Sequence, residues 1–103
     1  MSQVRFVDPA RREFLAQVEY YEQEEPGLGA RFAAYVEEAT VRALAFPLSG
    51  PSASKNTRRV FVRDFPFSIV YRPEDEGILV FAVAHHARRP GYWRSREPGR
   101  QGP

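Results

Sequence analysis

Apolar residues recur with a helical period in the N-terminal half of the chain. Phe14, Val18 and Tyr21 follow one another at i, i+4 and i+7, and this stripe ends at the turn signal Glu24-Glu25-Pro26-Gly27. A second stripe ends at Phe46-Pro47 and consists of Leu28, Phe32, Val36, Ala39 and Ala43. Because the turn between the stripes is short, the pattern predicts two antiparallel helices packed as a hairpin.

A short strand is predicted before this hairpin. The segment Gln3 to Val7 alternates loosely between polar and apolar residues, as an edge strand does. Asp8 and Pro9 follow it directly. They supply an N-cap carboxylate and a proline suited to the first helical position, so we expect the first helix to begin there.

The C-terminal half has the pattern of strands. Residues 59–63 alternate with a period of two, residues 67–72 are rich in β-branched and aromatic side chains, and residues 78–84 are almost continuously apolar. The last run is typical of a central strand covered on both faces. Residues 73–77 are predicted to form the hairpin turn before it. Residues 48–57, rich in Ser, Gly and Pro, are predicted to form a loop.

These elements predict an α+β fold. An N-terminal strand would precede an antiparallel helical hairpin that packs on one face of a small, mainly antiparallel sheet, and a short basic C-terminal segment would follow. With 103 residues, 43% of them hydrophobic, we expect a single domain over residues 1–96 and a flexible tail over residues 97–103. The sequence has no cysteine and no predicted membrane-spanning or export segment, which favours a cytoplasmic location.

Positive charge is concentrated in the C-terminal half. Residues 1–57 hold six Lys or Arg and eight Asp or Glu, whereas residues 58–103 hold nine and five, so the overall charge of +2 combines −2 and +4. This asymmetry favours a polyanionic partner, either nucleic acid or an acidic protein segment.

The candidate functional residues lie mostly between His85 and Arg96. This stretch combines two histidines, four arginines, Tyr92 and Trp93, side chains that suit contact with phosphate, nucleobase or carboxylate. In the structural alternative, Tyr92 and Trp93 only cap the edge of the sheet. The two histidines lack nearby carboxylates at ligand spacing, so neither a metal site nor a cofactor is predicted.

A second candidate surface lies on the predicted strand 59–63. Arg59 and Arg63 are four residues apart and would point to one face with Phe61 between them. Alternatively, Phe61 is a core residue and both arginines extend past it at the sheet edge. The complete set of candidate residues for binding a target or nucleic acid is Arg59, Arg63, His85, Arg88, Arg89, Tyr92 and Trp93.

Two stretches resemble a known superfamily. Residues 63–72 (RDFPFSIVYR), residues 80–93 (VFAVAHHARRPGYW) and the order of elements over residues 3–96 resemble the RelE/ParE superfamily of type II toxin–antitoxin toxins. Members that resemble RelE cut mRNA on the ribosome. Members that resemble ParE poison DNA gyrase and do not hydrolyse nucleic acid themselves.

The RelE pattern transfers only in part. Arg59 and Tyr92 match its basic and tyrosine positions, but Phe61 replaces an expected lysine, Ser68 an expected arginine, and His86 a further arginine. If the chain is a nuclease, His86 and Tyr92 are the catalytic candidates. The missing cations favour a ParE-like gyrase inhibitor. A ribosome-dependent mRNA endonuclease and a non-toxic relative that only binds a partner are the alternatives.

The resemblance also implies a protein partner. Toxins of this kind are neutralised by a cognate antitoxin whose C-terminal segment wraps around them, so we expect a hetero-oligomer with an antitoxin. A sheet edge, a groove beside the helical hairpin and a basic C-terminal face would accept an acidic segment, whether extended or helical.

Overall fold

The predicted order of helices and strands is confirmed. The computed structural model describes residues 3–97, which form β1 (Gln3–Phe6), α1 (Asp8–Glu24), α2 (Leu28–Ala45), β2 (Arg58–Phe61), β3 (Phe67–Glu74), β4 (Gly77–His85) and a 3₁₀ turn (Arg94–Arg96). The fold is α+β, as expected. Residues 98–103 of the expected tail lie outside the described residues, and Glu97 is buried. Neither described helix is long and apolar enough to cross a membrane.

The first helix begins differently from the prediction. Asp8 is the first helical residue, and the N-cap is Val7, which makes no side-chain capping bond. The reason is the sheet: the Val7 N–H donates to the Val80 carbonyl at 3.0 Å, which holds Val7 in an extended conformation. The Asp8 carboxylate instead accepts a hydrogen bond from Arg11 at 3.0 Å.

The four strands lie in the order β1-β4-β3-β2. β1 is parallel to β4, whereas β4–β3 and β3–β2 are antiparallel, so the sheet is mainly antiparallel, as predicted. A bulge interrupts the β3–β4 pairing: Val70 pairs with Ala82 and Tyr71 with Val80, which leaves Phe81 as the additional residue. Phe81 and Ala82 therefore face the same side of the sheet.

The β3–β4 turn is tighter than expected. Glu74 pairs with Gly77, so only two residues form the turn instead of residues 73–77. Gly77 has a φ of 146°, a conformation that favours glycine. Hydrogen bonds from Arg72 and Arg5 hold the pKa of the Glu74 carboxyl below its ordinary value, and both guanidinium groups pair with that carboxylate.

The main core lies between the helical hairpin and one face of the sheet. Its fully buried side chains include Phe32, Ile69, Tyr71, Ile78 and Val80. The α2 stripe predicted from Phe32, Val36, Ala39 and Ala43 is buried in this core. Burial of this continuous apolar layer is the main source of stability for a domain of this size.

The opposite face of the sheet is covered by the C-terminal segment instead of a helix. Val70, Leu79, Phe81 and Ala82 form a second cluster there with Trp93, which is 5% exposed. β4 is thus buried on both faces, as its apolar sequence predicts. The segment that carries the basic residues is part of the fold and packs across this face.

β2 is shorter than predicted, and this separates the two arginines assigned to it. β2 ends at Phe61, Val62 lies on the core side at 3% exposure, and residues 63–66 form the turn to β3. The Arg63 Nε then lies 3.3 Å from a carboxylate oxygen of Glu38 on α2. Arg59 and Arg63 therefore do not share a strand face. Phe61 is 56% exposed, so the alternative in which it is a core residue is also wrong.

Candidate functional site

A basic pocket of about 310 Å³ opens on the face of the sheet opposite the helices. Residues of β2, β3 and β4 form its floor, and the segment after β4 forms one wall. Its cationic and imidazole side chains are Arg59, His85, His86, Arg88, Arg89 and Arg94, and no Asp or Glu is among the described residues that line it. The pocket therefore has a positive potential that favours an anionic ligand.

The arginines of this basic pocket differ from most others in their ion pairing, since outside it only Arg12 and Arg58 of residues 3–97 also form no ion pair. Seven arginines pair with carboxylates elsewhere: Arg5, Arg11, Arg31, Arg42, Arg63, Arg72 and Arg96. Arg59, Arg88, Arg89 and Arg94 are exposed and form no ion pair with a carboxylate of residues 3–97. No carboxylate of residues 3–97 neutralises their charge, which leaves it available to a partner.

The wall of the basic pocket is held by Glu13 of α1. The Tyr92 hydroxyl donates to Glu13 Oε2 at 2.8 Å, and Arg96 donates to both carboxylate oxygens at 2.9 and 3.0 Å. The side chains of Glu13 and Arg96 are only 19% and 17% exposed. A mostly buried, bidentate pair of this kind fixes the position of the residues around it.

The same pair completes the hydrogen bonding of β4. β1 ends at Phe6, so β4 extends past the end of its parallel neighbour. The Val83 N–H donates to Glu13 Oε1 at 3.1 Å, and the Phe81 carbonyl accepts from Arg96 at 2.9 Å. Buried backbone groups need such partners. Sequence analysis missed Glu13, because a single Glu on a helix carries no signal of its tertiary role, and its candidate set did not include Arg94 of the basic pocket.

Tyr92 and Trp93 have structural roles in this arrangement. Burial and the hydrogen bond to Glu13 raise the pKa of Tyr92 far above its ordinary value, so the phenol stays neutral. The Arg88 guanidinium lies 3.8 Å from the centre of the Tyr92 ring. Trp93 lines the basic pocket, but it is a core residue and offers little surface for contact. The alternative in which these aromatics close the sheet describes their packing correctly.

Three positions where the RelE-like pattern is lost lie together at the rim of the basic pocket. Ser68 Oγ and His86 Nε2 are 2.9 Å apart and share a hydrogen bond. The Phe61 and His86 rings are nearly perpendicular, with 5.6 Å between centroids, and Phe61 pairs with Ser68 across the strands. His85 is engaged elsewhere, because its Nδ1 accepts the Ala87 N–H at 2.9 Å.

The structure brings most of the predicted site residues to one place. Arg59, His85, His86, Arg88, Arg89, Tyr92 and Trp93 all line the basic pocket. Arg63 does not line it, since its guanidinium is paired with Glu38. Among residues 3–97 no group of three His, Asp or Glu side chains is arranged to hold a metal ion.

The sequence of the chain matches a known protein family. The profile of the family described as the ParE toxin of the type II toxin–antitoxin system parDE matches residues 4–90. The chain belongs to the ParE toxin family. It is therefore a toxin of the type II toxin–antitoxin class, and this context supports an antitoxin as its partner.

A solved structure supports the fold of this ParE-family chain. The structure described as a chromosomal ParDE TA system from P. aeruginosa aligns with a TM-score of 0.69 and 18% sequence identity. The alignment covers 82% of this chain and 96% of that chain. Identity at this level establishes a shared fold. Comparison with curated protein sequences gives no match.

Proposed function

We propose that this ParE-family chain inhibits bacterial growth by binding DNA gyrase and that a cognate antitoxin neutralises it. One observation carries the proposal: the basic pocket presents four unpaired arginines, whereas Phe61 and Ser68 stand at two positions where the RelE-like pattern expects cations. Such a site is suited to binding a partner through charge.

The arrangement of the RelE-like positions argues against a nuclease. Metal-free RNA cleavage needs a base, an acid and cations near the developing phosphorane charge. Phe61 and Ser68 stand where two cations are expected. The Tyr92 hydroxyl donates to Glu13, and the His86 Nε2 is bound to Ser68. A binding-type toxin, as the resemblance to ParE implies, fits these contacts better than an mRNA endonuclease does.

The antitoxin is expected on the other side of the molecule. An apolar groove of about 440 Å³ lies between β1, α1 and α2. Leu15 and Val41 line it and are 57% and 56% exposed. Among the described residues, β1 pairs only with β4, so its outer edge is free for an added strand. We propose that an antitoxin segment with apolar side chains docks in this groove, beside the β1 edge.

Gyrase inhibition is tested with purified protein. Wild-type protein is expected to inhibit gyrase supercoiling, and Arg88→Ala to inhibit it less. Arg12→Ala is the matched control, because Arg12 is exposed on α1 and does not line the basic pocket. mRNA on translating ribosomes should stay intact. Specific mRNA cuts that disappear in His86→Ala would instead establish the endonuclease alternative.

Growth and neutralisation are tested in cells. Expression of the chain alone should arrest growth, and co-expression of the neighbouring antitoxin gene should restore it.

Leu15→Asp should weaken antitoxin binding in titration calorimetry, whereas Leu48→Asp, 67% exposed and outside the groove, should not. Normal growth with folded protein present would favour the non-toxic relative that only binds a partner.

A further inference from the structure

The basic pocket continues into a second cationic pocket. Ser52 lines both, and the second pocket, of about 330 Å³, also has Lys55 and Arg58 in its wall. Neither cation forms an ion pair with a carboxylate of residues 3–97, whereas the neighbouring Arg72 is paired with Glu74. No Asp or Glu is among the described lining residues of the second pocket. Arg58 and Arg59 are successive residues of β2, so their side chains project to opposite faces, and the Arg58 guanidinium donates to the Gly50 carbonyl at 2.9 Å. The cationic track is therefore defined by the four unpaired arginines of the basic pocket, Arg59, Arg88, Arg89 and Arg94, and Lys55 of the second pocket lies beyond Ser52.

An exposed aromatic ring stands beside this cationic track. Phe61 is 56% exposed and lies two residues after Arg59 on the same face of β2. Its ring is nearly perpendicular to the His86 ring, with an interplanar angle of 85°, and the 56% exposure of Phe61 leaves ring surface available to a partner. An exposed ring next to unpaired cations is the combination on which nucleic-acid bases stack.

We propose that the cationic track binds single-stranded nucleic acid, with phosphates on the unpaired arginines and one base stacked on Phe61. A duplex is disfavoured, because its bases are stacked on one another and have no free face for the ring. An acidic peptide would satisfy the arginines and leave Phe61 in solvent. The inference goes beyond gyrase binding, since the contact is with the nucleic acid itself.

The salt dependence of binding tests the charge contacts. The probe is a fluorescein-labelled oligothymidylate of about 12 nucleotides, within the range of small single-strand sites. Four phosphate contacts predict a slope of about −3 for log K against log salt, and Arg59→Ala should reduce it by about 0.7. Arg12→Ala, which removes the same charge outside the track, should leave the slope unchanged.

The stacking contact is tested with a matched pair of aromatic variants. Phe61→Ala should weaken oligothymidylate binding about 5- to 150-fold without changing the salt slope. Phe46→Ala is the control, because Phe46 is 67% exposed and lies at the end of α2, away from the track. Circular dichroism of each variant confirms that it is folded.

Three further ligands, an oligouridylate, a duplex and polyglutamate, test whether binding requires single-stranded nucleic acid. An oligouridylate of equal length is expected to bind comparably, since phosphate and base are common to both strands, and a duplex is expected to bind more weakly. Equal binding of duplex, or of polyglutamate, with no effect of Phe61→Ala would overturn the inference. Folded protein that inhibits gyrase but binds no oligonucleotide would overturn it and leave the proposed function intact.

Discussion

The Glu13–Arg96 pair offers the sharpest test of how the basic pocket is built. Replacing Glu13 by Ala removes the acceptor for Tyr92, Arg96 and the Val83 N–H, and it leaves a guanidinium that is 17% exposed without a counter-charge. Breaking a buried pair from one side costs about 3–5 kcal/mol. Because the pair keeps some exposure, we expect a loss of about 3 kcal/mol in the free energy of unfolding. That corresponds to a decrease of about 12–24 °C in Tm.

Chemical denaturation of matched variants measures this effect. Glu19→Ala is the control, because Glu19 is exposed on the same helix and should change stability by no more than about 0.5 kcal/mol. Glu13→Gln keeps one acceptor oxygen and should cost less than Glu13→Ala. In a double-mutant cycle, Glu13→Ala and Arg96→Ala together should cost less than the sum of the single changes. A loss below about 1 kcal/mol for Glu13→Ala, or strict additivity, would refute this account of the pocket wall.

Three further predictions follow from other parts of the fold. Trp93→Ala should cost roughly 3–5 kcal/mol in chemical denaturation, whereas Arg88→Ala should stay within about 0.5 kcal/mol; similar losses would contradict their different burial. Gly27→Ala and Gly77→Ala both strain a positive φ, by roughly 1–3 kcal/mol, but a Cβ on Gly77 would also lie 1.8 Å from a β1 carbonyl oxygen. Denaturation should therefore show a clearly larger loss for Gly77→Ala, and equal losses would be inconsistent with this packing. The folded-state pKa of Glu74 is lowered, so its stabilisation is present above the unfolded pKa of about 4.3 and disappears as pH falls. The free energy of unfolding, measured from pH 7 to 3, should fall less steeply in Glu74→Gln than in the wild-type protein. An unchanged slope would exclude a contribution of the Glu74 carboxylate.

The elements that sequence analysis predicted correctly are those specified by local patterns. The stripe at Phe32, Val36 and Ala39 needs only its own helix to be recognised, because a period of 3.6 places these side chains on one face. The apolar run of β4 likewise predicts burial on both faces without knowledge of its neighbours.

The errors arose where tertiary contacts override a local pattern. Alternation continues to Arg63, but residues 63–66 form the turn between β2 and β3, with Asp64 at a left-handed φ of 63°, and the Arg63 guanidinium pairs with Glu38 of α2. Asp8 has the composition of an N-cap, yet the bond between Val7 and β4 places the cap one residue earlier. Composition also could not distinguish Trp93, a core residue, from the exposed Arg88 nearby.

The parallel pairing of β1 with β4 determines when the structure can be completed. β1 pairs through residues 3–6 with residues 77–80, so closing this contact requires ordering almost the whole intervening chain. We expect Val4→Ala to accelerate unfolding and to change the refolding rate little, as chevron analysis would show, because such a contact forms late. The ion pair between Glu13 and Arg96 likewise joins distant parts of the chain and forms only once Arg96 is in place. During synthesis the helical hairpin emerges first, but the wall that carries the unpaired arginines has no anchor until the last strand and the segment after it leave the ribosome.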